Sequence, residues 1–413
     1  WVTAANTTNG SSDSFSMNVN PGSSISDDLG VYAVEVDGKL LTDHTTIGYD
    51  SSGSENHWHE SNLFGREHTT ASGNFKAVTY TGTGNAGLAI TGVGFKPDFV
   101  WLKERGARNN VSHQLYDVVR GTSKMLQCDI AGVEGDVSGV TSFDTDGFTV
   151  GTNGGGNNSG STYVAWCWKA NGDASALNTG SINASVSANT TAGFSVVSYT
   201  GTGSAGTVAH GLGKKPDMII AKSRDTNSTN WYVWHSSSAS NINTKYALLN
   251  TNDKVNQAAG DLFATVGTTT FGVEAGANTN NEGDMLALCF AEIEGYSKFG
   301  HYIGNNSSTG PIINCGFTPA FVLLRRVDDD NNWQIFDNAR SLDNDLKPNT
   351  DEAEGSAPMA FLPNGFQPKN TYASTNASGG EYIYMAIAGS PKGDLDLLAD
   401  TPGAPYNNGL NGG

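Results

Sequence analysis

Short apolar segments alternate with polar clusters along most of the chain. Segments such as Phe194–Thr200 (FSVVSYT) are rich in β-branched and aromatic residues, and clusters of Gly, Asn, Asp and Ser separate them. A hydrophobic period of two places successive side chains on opposite faces of a strand, and the clusters supply turns. Their number and spacing are typical of antiparallel sandwiches. The pattern predicts an all-β fold of tandem, jelly-roll-like β-sandwich units with little helix.

Part of this pattern is repeated. Residues 75–105 (FKAVTYTGTGNAGLAITGVGFKPDFVWLKER) align without a gap with residues 194–224 (FSVVSYTGTGSAGTVAHGLGKKPDMIIAKSR). A diverged third copy begins near Phe299, and its Pro319 corresponds to Pro216 and Pro97. Repeats of this length indicate one supersecondary architecture used several times. We therefore predict three sandwich units that share one strand order.

The repeats divide the chain into six parts. We name the three copies unit 1, unit 2 and unit 3. A stretch of small polar residues between the first two predicts a linker, and the Asp37-Gly38 pair within VYAVEVDGKLL predicts a hairpin turn in a preceding β domain. The predicted parts are residues 1–72, the end of that β domain; 73–175, unit 1; 176–191, the linker; 192–296, unit 2; 297–391, unit 3; and 392–413, a tail.

The low content of charged residues and the negative net charge indicate which classes of binding partner are unfavourable. Only 15% of the residues are charged, against roughly 25% in typical domains, and the net charge is −18. A negative field repels phosphate backbones and anionic lipids. One of the longest apolar runs, residues 285–291, is far below the ~20 residues needed to span a bilayer. We therefore expect neither nucleic-acid binding nor membrane insertion.

The four cysteines are too few for a disulfide framework. In the repeat alignment Cys167 and Cys289 occupy one position, and Ala386 occupies it in unit 3. A position that accepts Cys or Ala is a small apolar site in a core. All four cysteines, including Cys128 and Cys315, are predicted to be unpaired.

Three motifs occur together and in order: the YTGTG loop, the GLGKKPD turn and the junction FAEIEGYSKFG. With them, residues 30–390 resemble a domain common in structural proteins of tailed bacteriophages, many of them marine. In that family the domain often follows a concanavalin-like β domain, which residues 50–63 (DSSGSENHWHESNL) resemble. The resemblance implies that residues 1–72 end such a domain and that the chain is part of a virion.

From this resemblance we expect a non-enzymatic virion structural protein on the outside of the particle, namely a tail fibre, spike or similar appendage. Its function would be extension and attachment to a host-surface glycan or protein. It would contact other virion proteins and form a homo-oligomer, with a trimer favoured. A capsid decoration protein and a bacterial surface adhesin are alternatives. A polysaccharide depolymerase is another, and it would need two carboxylates about 5–5.5 or 6.5–9.5 Å apart.

Two glycine loops match the dinucleotide-binding pattern GxGxxG, at residues 82–87 and 201–206. That pattern acts by placing a pyrophosphate at a helix N-terminus. Here the chain continues to Pro97 and Pro216 with no room for a helix, so the glycines predict loops at sheet corners. We expect no catalytic residue and no cofactor.

Aromatic residues are the candidate ligand contacts. Tyr232, Trp234 and Trp333 could stack on sugar rings if they are exposed at the end of a unit. Because these aromatics recur at matching positions of the repeats, burial in a two-sided core is the alternative.

Metal binding has weak support. His57 and His59 lie on one face of an extended segment, with His44 and His68 nearby, which could begin a metal site. The runs at residues 328–332 (DDDNN) and 144–147 (DTDG) carry oxygen ligands that Ca²⁺ prefers, but Asp and Asn are also ordinary turn residues. No metal is part of the predicted function.

Overall fold

A computed structural model describes residues 35–36, 39–40, 73–106, 111–237, 239–255, 262–263 and 265–389. The chain divides into two compact parts, residues 1–67 and 68–413. In the first part, β1 (Glu35–Val36) pairs antiparallel with β2 (Lys39–Leu40), which confirms the hairpin predicted around Asp37-Gly38. The rest of the predicted concanavalin-like domain, the histidines at 57 and 59 and the tail at 392–413 lie outside the described residues.

Unit 1 is a sandwich of a large and a small antiparallel sheet. Its elements are β3 (Phe75–Thr81), β4 (Leu88–Ile90), β5 (Phe99–Glu104), β6 (Gln114–Asp117), β7 (Lys124–Gln127), β8 (Gly135–Asp136), β9 (Val140–Asp144), β10 (Gly147–Val150), α1 (Gly154–Asn157) and β11 (Thr162–Trp168). The large sheet has the order β3-β11-β5-β6-β7-β8, and the small sheet has the order β4-β10-β9.

Unit 2 repeats this arrangement with two extra strands at one edge. Its elements are β12 (Ser175–Leu177), β13 (Ala184–Asn189), β14 (Phe194–Thr200), β15 (Gly206–Ala209), β16 (Met218–Ser223), β17 (Tyr232–His235), a 3-10 helix (Ala239–Thr244), β18 (Ala247–Leu248), β19 (Thr270–Val273) and β20 (Asp284–Phe290). The large sheet has the order β12-β13-β14-β20-β16-β17-β18, and β15 pairs with β19.

Unit 3 has the same plan. Its elements are β21 (Ser297–Ile303), β22 (Ile313–Asn314), β23 (Pro319–Arg326), β24 (Gln334–Asp337), β25 (Asn344–Asp345), β26 (Gly355–Ser356), β27 (Met359–Leu362), β28 (Gly365–Pro368), α2 (Ala373–Asn376) and β29 (Glu381–Ala388). The sheets have the orders β21-β29-β23-β24, β22-β28-β27 and β25-β26. When the two extra strands of unit 2 are set aside, β14 is its first strand, and in all three units the last strand lies between the first and third strands: β11 between β3 and β5, β20 between β14 and β16, and β29 between β21 and β23. This order confirms the shared connectivity and the all-β class.

The structure corrects the prediction that residues 176–191 form a linker. This stretch contains the end of β12 and all of β13, and β13 pairs with β14 along its whole length. Ile182, Ala184 and Val186 are each 5% exposed or less and belong to the unit 2 core. Apolar residues recur at every second position, as in a strand with one buried face. The alternation was hard to recognise in the sequence because Ala184 and Ala188 are small and Ser and Asn residues lie between the apolar positions. The segment therefore extends the unit 2 sheet.

The three units surround one common core. Trp168 of unit 1 lies at its centre, with ring centroids 6.3 Å from Phe194 and 6.5 Å from Phe290 of unit 2, and 5.4 Å from Phe321 of unit 3. One face of each large sheet contributes to this core. The opposite face packs on the small sheet of the same unit; in unit 1, Cys167 of the large sheet and Phe148 of the small sheet belong to this second core. The units are thus closed around a shared centre rather than added in a line.

All four cysteines are free and buried, as the repeat alignment predicted. Cys167 and Cys289 lie in the last strands of their units, inside separate sandwich cores. Cys128 lies at the contact between units 1 and 3, where its thiol donates to the carbonyl oxygen of Pro348 at 3.1 Å. These thiols act as small apolar side chains of the core.

Candidate functional site

The structure places the three candidate sugar-stacking aromatics in the interior. Tyr232 and Trp234 are each 5% exposed in unit 2, and Trp333 is 1% exposed in unit 3. A ring that stacks on a sugar must present an open face to solvent. Because all three rings are buried, the prediction that they contact a glycan is corrected: they belong to the two-sided core that was the alternative.

Carboxylates of the acidic runs at residues 144–147 and 328–332 stabilise turns and loops. Asp146 accepts backbone N–H groups of Gly92 at 3.0 Å and Gly94 at 2.6 Å. Asp328 pairs with Arg326 at 2.9 Å and accepts the backbone N–H of Glu381. Among the residues that the structure describes, no group of three or more His, Cys, Asp or Glu side chains is placed to hold a metal ion. These carboxylates hold loops together, as the turn alternative proposed.

The glycine loops follow the first strand of each unit. Gly82, Gly201 and Gly304 occupy equivalent places at the start of these loops, although the third loop has diverged in sequence. A side chain at any of the three would overlap a backbone carbonyl oxygen of the loop before the last strand. Only glycine permits this close approach of two backbone segments.

A buried asparagine closes each glycine loop. Asn157, Asn280 and Asn376 are each 1% exposed or less. Their side-chain oxygens accept the N–H that follows the close-approach glycine, at 2.8, 3.0 and 2.9 Å; the donors are Thr83, Thr202 and Asn305. We call these residues the clamp asparagines. Sequence reasoning missed them, although each precedes the first residue of the last strand (Thr162, Asp284, Glu381) by four or five positions.

The clamp amides also use their N–H groups. In unit 2 the Asn280 amide donates to the carbonyl oxygens of Ser204 at 2.6 Å and Glu274 at 3.0 Å, so it ties both ends of the loop to the sandwich. Asn157 and Asn376 make the corresponding pairs of bonds. Residues at the loop tips are exposed and carry hydroxyl, amide or methyl groups. Each unit therefore presents a rigid, uncharged polar loop.

Replacing Asn280 with alanine is expected to lower the free energy of unfolding by about 2 kcal/mol, because buried polar partners lose their hydrogen bonds. Urea unfolding followed by tryptophan fluorescence measures this loss. Asn85→Ala at an exposed loop tip is the control and should change stability by less than about 0.5 kcal/mol. Equal effects of the two substitutions would show that the clamp does not hold the loop.

Adjacent units are joined by a ring of equivalent hydrogen bonds. The indole N–H of Trp231 in unit 2 donates to the carbonyl oxygen of Gln127 in unit 1 at 2.8 Å. The indole N–H of Trp333 in unit 3 donates to Leu248 of unit 2 at 2.8 Å. The ring closes where His113 Nε2 of unit 1 lies 3.1 Å from the carbonyl oxygen of Lys347 in unit 3. The chain thus has pseudo-three-fold symmetry within one molecule.

Largely buried ion pairs cross two of the three interfaces. Glu134 of unit 1 bridges Arg224 of unit 2 and its own Arg120, both at 2.9 Å. Burial by itself would raise the pKa of Glu134, but hydrogen bonds and charge from the two arginines outweigh it and lower the pKa below 4.5. The glutamate therefore remains ionised at neutral pH.

Glu354 makes the equivalent contact between units 3 and 1. It pairs with Arg105 of unit 1 at 2.6 Å and with Arg340 of its own unit at 3.0 Å. Its pKa is likewise lowered: the two arginines outweigh the opposing effect of burial. Both glutamates thus connect an arginine of their own unit with an arginine of the neighbour.

The interface between units 2 and 3 replaces the ion pair with two valines. The backbone N–H of Val255 donates to the carbonyl oxygen of Val327 at 3.1 Å, as Glu134 does to Arg224 and Glu354 to Arg105. Both valines are buried, at 5% and 1% exposure. The same backbone geometry therefore carries a charged pair at two interfaces and an apolar pair at the third.

Two buried histidines also lie at interfaces. The Nδ1 of His113 accepts the indole N–H of Trp101 at 3.0 Å. His235 Nδ1 accepts the backbone N–H of Ser237 at 3.0 Å, and its Nε2 donates to the carbonyl oxygen of Tyr384 at 3.2 Å. Burial lowers both pKa values, that of His235 to about 4. Both imidazoles are therefore neutral acceptors at Nδ1.

Acid is expected to destabilise the unit 2–unit 3 interface. Because folding lowers the pKa of His235 from 6.5 to about 4, its contribution is fully present above pH 6.5 and is lost as the pH falls toward 4. That difference corresponds to about 3 kcal/mol. His235→Asn keeps an acceptor near the Nδ1 position and cannot titrate. Thermal unfolding between pH 7 and 4 should show a shallower loss for this variant, and an unchanged pH dependence would contradict the assignment.

A family model described as "Domain of unknown function (DUF7483)" matches residues 70–391. This span includes all three units. No curated protein and no solved structure matches the chain. In the part of the chain that the structure describes, no helix has the length and apolar character needed to cross a membrane.

Proposed function

The chain belongs to the DUF7483 family of domains of unknown function, and we propose that it is a non-enzymatic structural protein of a bacteriophage particle. Displayed on the particle surface as a tail fibre, spike or similar appendage, it would extend from the particle and attach to the host. The observation that carries this proposal is the closed ring of three equivalent units, each presenting one rigid loop. The resemblance of the repeated motifs to phage structural proteins supplies the biological setting.

The use of polar groups supports a scaffold role. The clamp asparagines, the ring-forming tryptophans and the bridging glutamates all bond within the protein. Each of these groups holds two segments or two units together, and none is aimed at a cleft. A framework of this kind resists unfolding while its loops remain available for contact, which suits a protein displayed outside a particle.

The homotrimer remains part of the proposal, and the structure limits which surface could form it. One face of every large sheet is already covered by the other two units of the same chain. Contacts between chains would therefore use the outer surfaces or the residues before unit 1. Light scattering of the purified full chain should give about three times the chain mass of 43.2 kDa.

A capsid decoration protein is the second candidate, and the pseudo-three-fold ring favours it. A single chain with three equivalent units can match a three-fold position of a shell without forming an oligomer. A mass of 43.2 kDa by light scattering would support this candidate over the trimeric fibre.

Gold-labelled antibodies against the chain test the proposal on purified particles of the phage that encodes it. Label on the tail or its appendages would support the fibre or spike, and label spread over the shell would support decoration. Label on cells but not on particles would overturn both and favour an adhesin. An unrelated antibody of the same class is the control.

A further inference from the structure

The three glycine loops lie at the ends of strands that start from one place. Phe194 and Phe299, in the first strands of units 2 and 3, line a central depression together with Trp168 of unit 1. Phe75, which begins the first strand of unit 1, has its ring 4.8 Å from that of Trp168. Each first strand runs from this aromatic centre to its loop, and seven residues of strand span roughly 20 Å.

The large sheets run side by side over this length. At the aromatic end, Phe75 of unit 1 lies 5.5 Å from Phe321 of unit 3. At the far end, the Lys103 ammonium of unit 1 donates to the carbonyl oxygen of Asp351 in unit 3 at 3.1 Å, next to the Arg105–Glu354 pair. Because neighbouring units touch at both ends, their strands do not splay apart. The three loops therefore project from one end of the ring.

The chain enters and leaves at the other end. The backbone N–H of Lys169 donates to Asn74, at the start of unit 1. At the end of unit 3, the N–H of Ala388 donates to the carbonyl oxygen of Tyr296, which lines the central depression. Asn74 and Ala388, near the two ends of the described three-unit ring, therefore lie at the aromatic end, opposite the glycine loops. We call the loop end the loop face.

The side chains exposed at the loop face indicate which class of ligand it can bind. Exposed residues at the three tips are Thr83, Asn85 and Ala86 in unit 1, Thr202, Ser204 and Ala205 in unit 2, and Asn305, Asn306, Ser308 and Thr309 in unit 3. None of these tip residues is charged, and their hydroxyl and amide groups both donate and accept hydrogen bonds. The exposed side chain of Glu282 lies beside Gly203 of the unit 2 loop and adds a negative charge there. The net charge of −18 opposes acidic polymers.

We propose that the loop face is a trivalent binding site for an uncharged polysaccharide of the host surface. This inference rests on the proposed role in attachment and names its ligand class. A polysaccharide repeats the same neutral hydrogen-bonding groups, so three equivalent loops engage three equivalent sites. Each contact is weak alone, and three on one rigid body multiply their effect through the high effective concentration of the second and third loops.

Charged substitutions at the loop tips test this proposal in the full chain. Ala86→Glu, Ala205→Glu and Ser308→Glu each change one exposed tip and leave the clamp asparagine in place. Binding is measured to immobilised mannan, dextran and galactan, with alginate as the acidic probe. We expect a neutral polysaccharide to bind, each single variant to lose several-fold in affinity, and the triple variant to lose at least about 100-fold.

The matched control carries the same added charge away from the loop face. Asn171 and Ala174 are exposed residues between β11 and β12, and Thr190 is exposed between β13 and β14; their triple Glu variant should bind as the unmodified chain does. Equal binding by both triple variants, binding to alginate alone, or binding to none of the polysaccharides would overturn the inference. The gold-labelling experiment tests the proposed function independently of this inference. Label on particles would still support the virion protein if the polysaccharide test failed, whereas absence of label would overturn the proposed function itself.

Discussion

Replacing Glu134 with alanine is expected to lower the free energy of unfolding by about 3 kcal/mol, near the lower end for a broken buried ion pair. The carboxylate bridges Arg120 and Arg224, whose side chains are 0% and 15% exposed. Without it, Arg224 keeps only weaker contacts with Ser198 and Asp284. Urea unfolding at pH 7 measures the change.

The third interface supplies a matched control for this prediction. Glu134→Val combined with Arg224→Val copies the pair Val255 and Val327, which keeps the same backbone hydrogen bond between units. Replacing a buried ion pair with apolar residues is often neutral or stabilising, and Arg120 would still pair with Asp117. The double variant should recover most of the stability lost by the alanine variant. A double variant as unstable as the single one would show that the interfaces are not interchangeable.

Replacing Trp168 with alanine is expected to have the largest effect, a loss of about 4 kcal/mol. Its ring contacts aromatic residues of all three units, and the side chain is 1% exposed. The cavity would open where the units meet, so each unit would lose support from the other two. Calorimetry should show one transition for the unmodified chain and a broadened or divided transition for the variant.

Trp168→Phe is the control for the cavity. Unit 2 has Phe290 at the corresponding position of its last strand, so the shared core accommodates this ring. The indole N–H of Trp168 is buried without a hydrogen-bond acceptor, and its removal offsets part of the lost packing. We expect a loss below about 1.5 kcal/mol. A Phe variant as unstable as the Ala variant would mean that the indole itself, rather than filled volume, holds the centre.

The pattern of residues along the sequence was sufficient to predict the strands and turns of the fold. The period-two segments, the proline and glycine positions and the alignment of Cys167 with Cys289 predicted strands, turns, three units and free thiols, because each depends on residues close in sequence or on comparison of the repeats. The glycine loops were also predicted, because Pro97 and Pro216 leave no room for a helix after the glycines. What a glycine loop packs against was not predictable from the loop alone.

Tertiary structure decided how the units combine and which residues face solvent. Trp234 and Trp333 have the same aromatic character whether a strand face is open or covered, and only the neighbouring sheets and units cover them. The clamp asparagines carry no hydrophobic signal, because an amide becomes structural only when the chain brings three backbone partners to it. Residues 184–189 were recognisable as a strand only from their pairing with β14 at the edge of the unit 2 sheet. The closed ring itself depends on contacts between units far apart in sequence, which a local hydrophobic period does not encode.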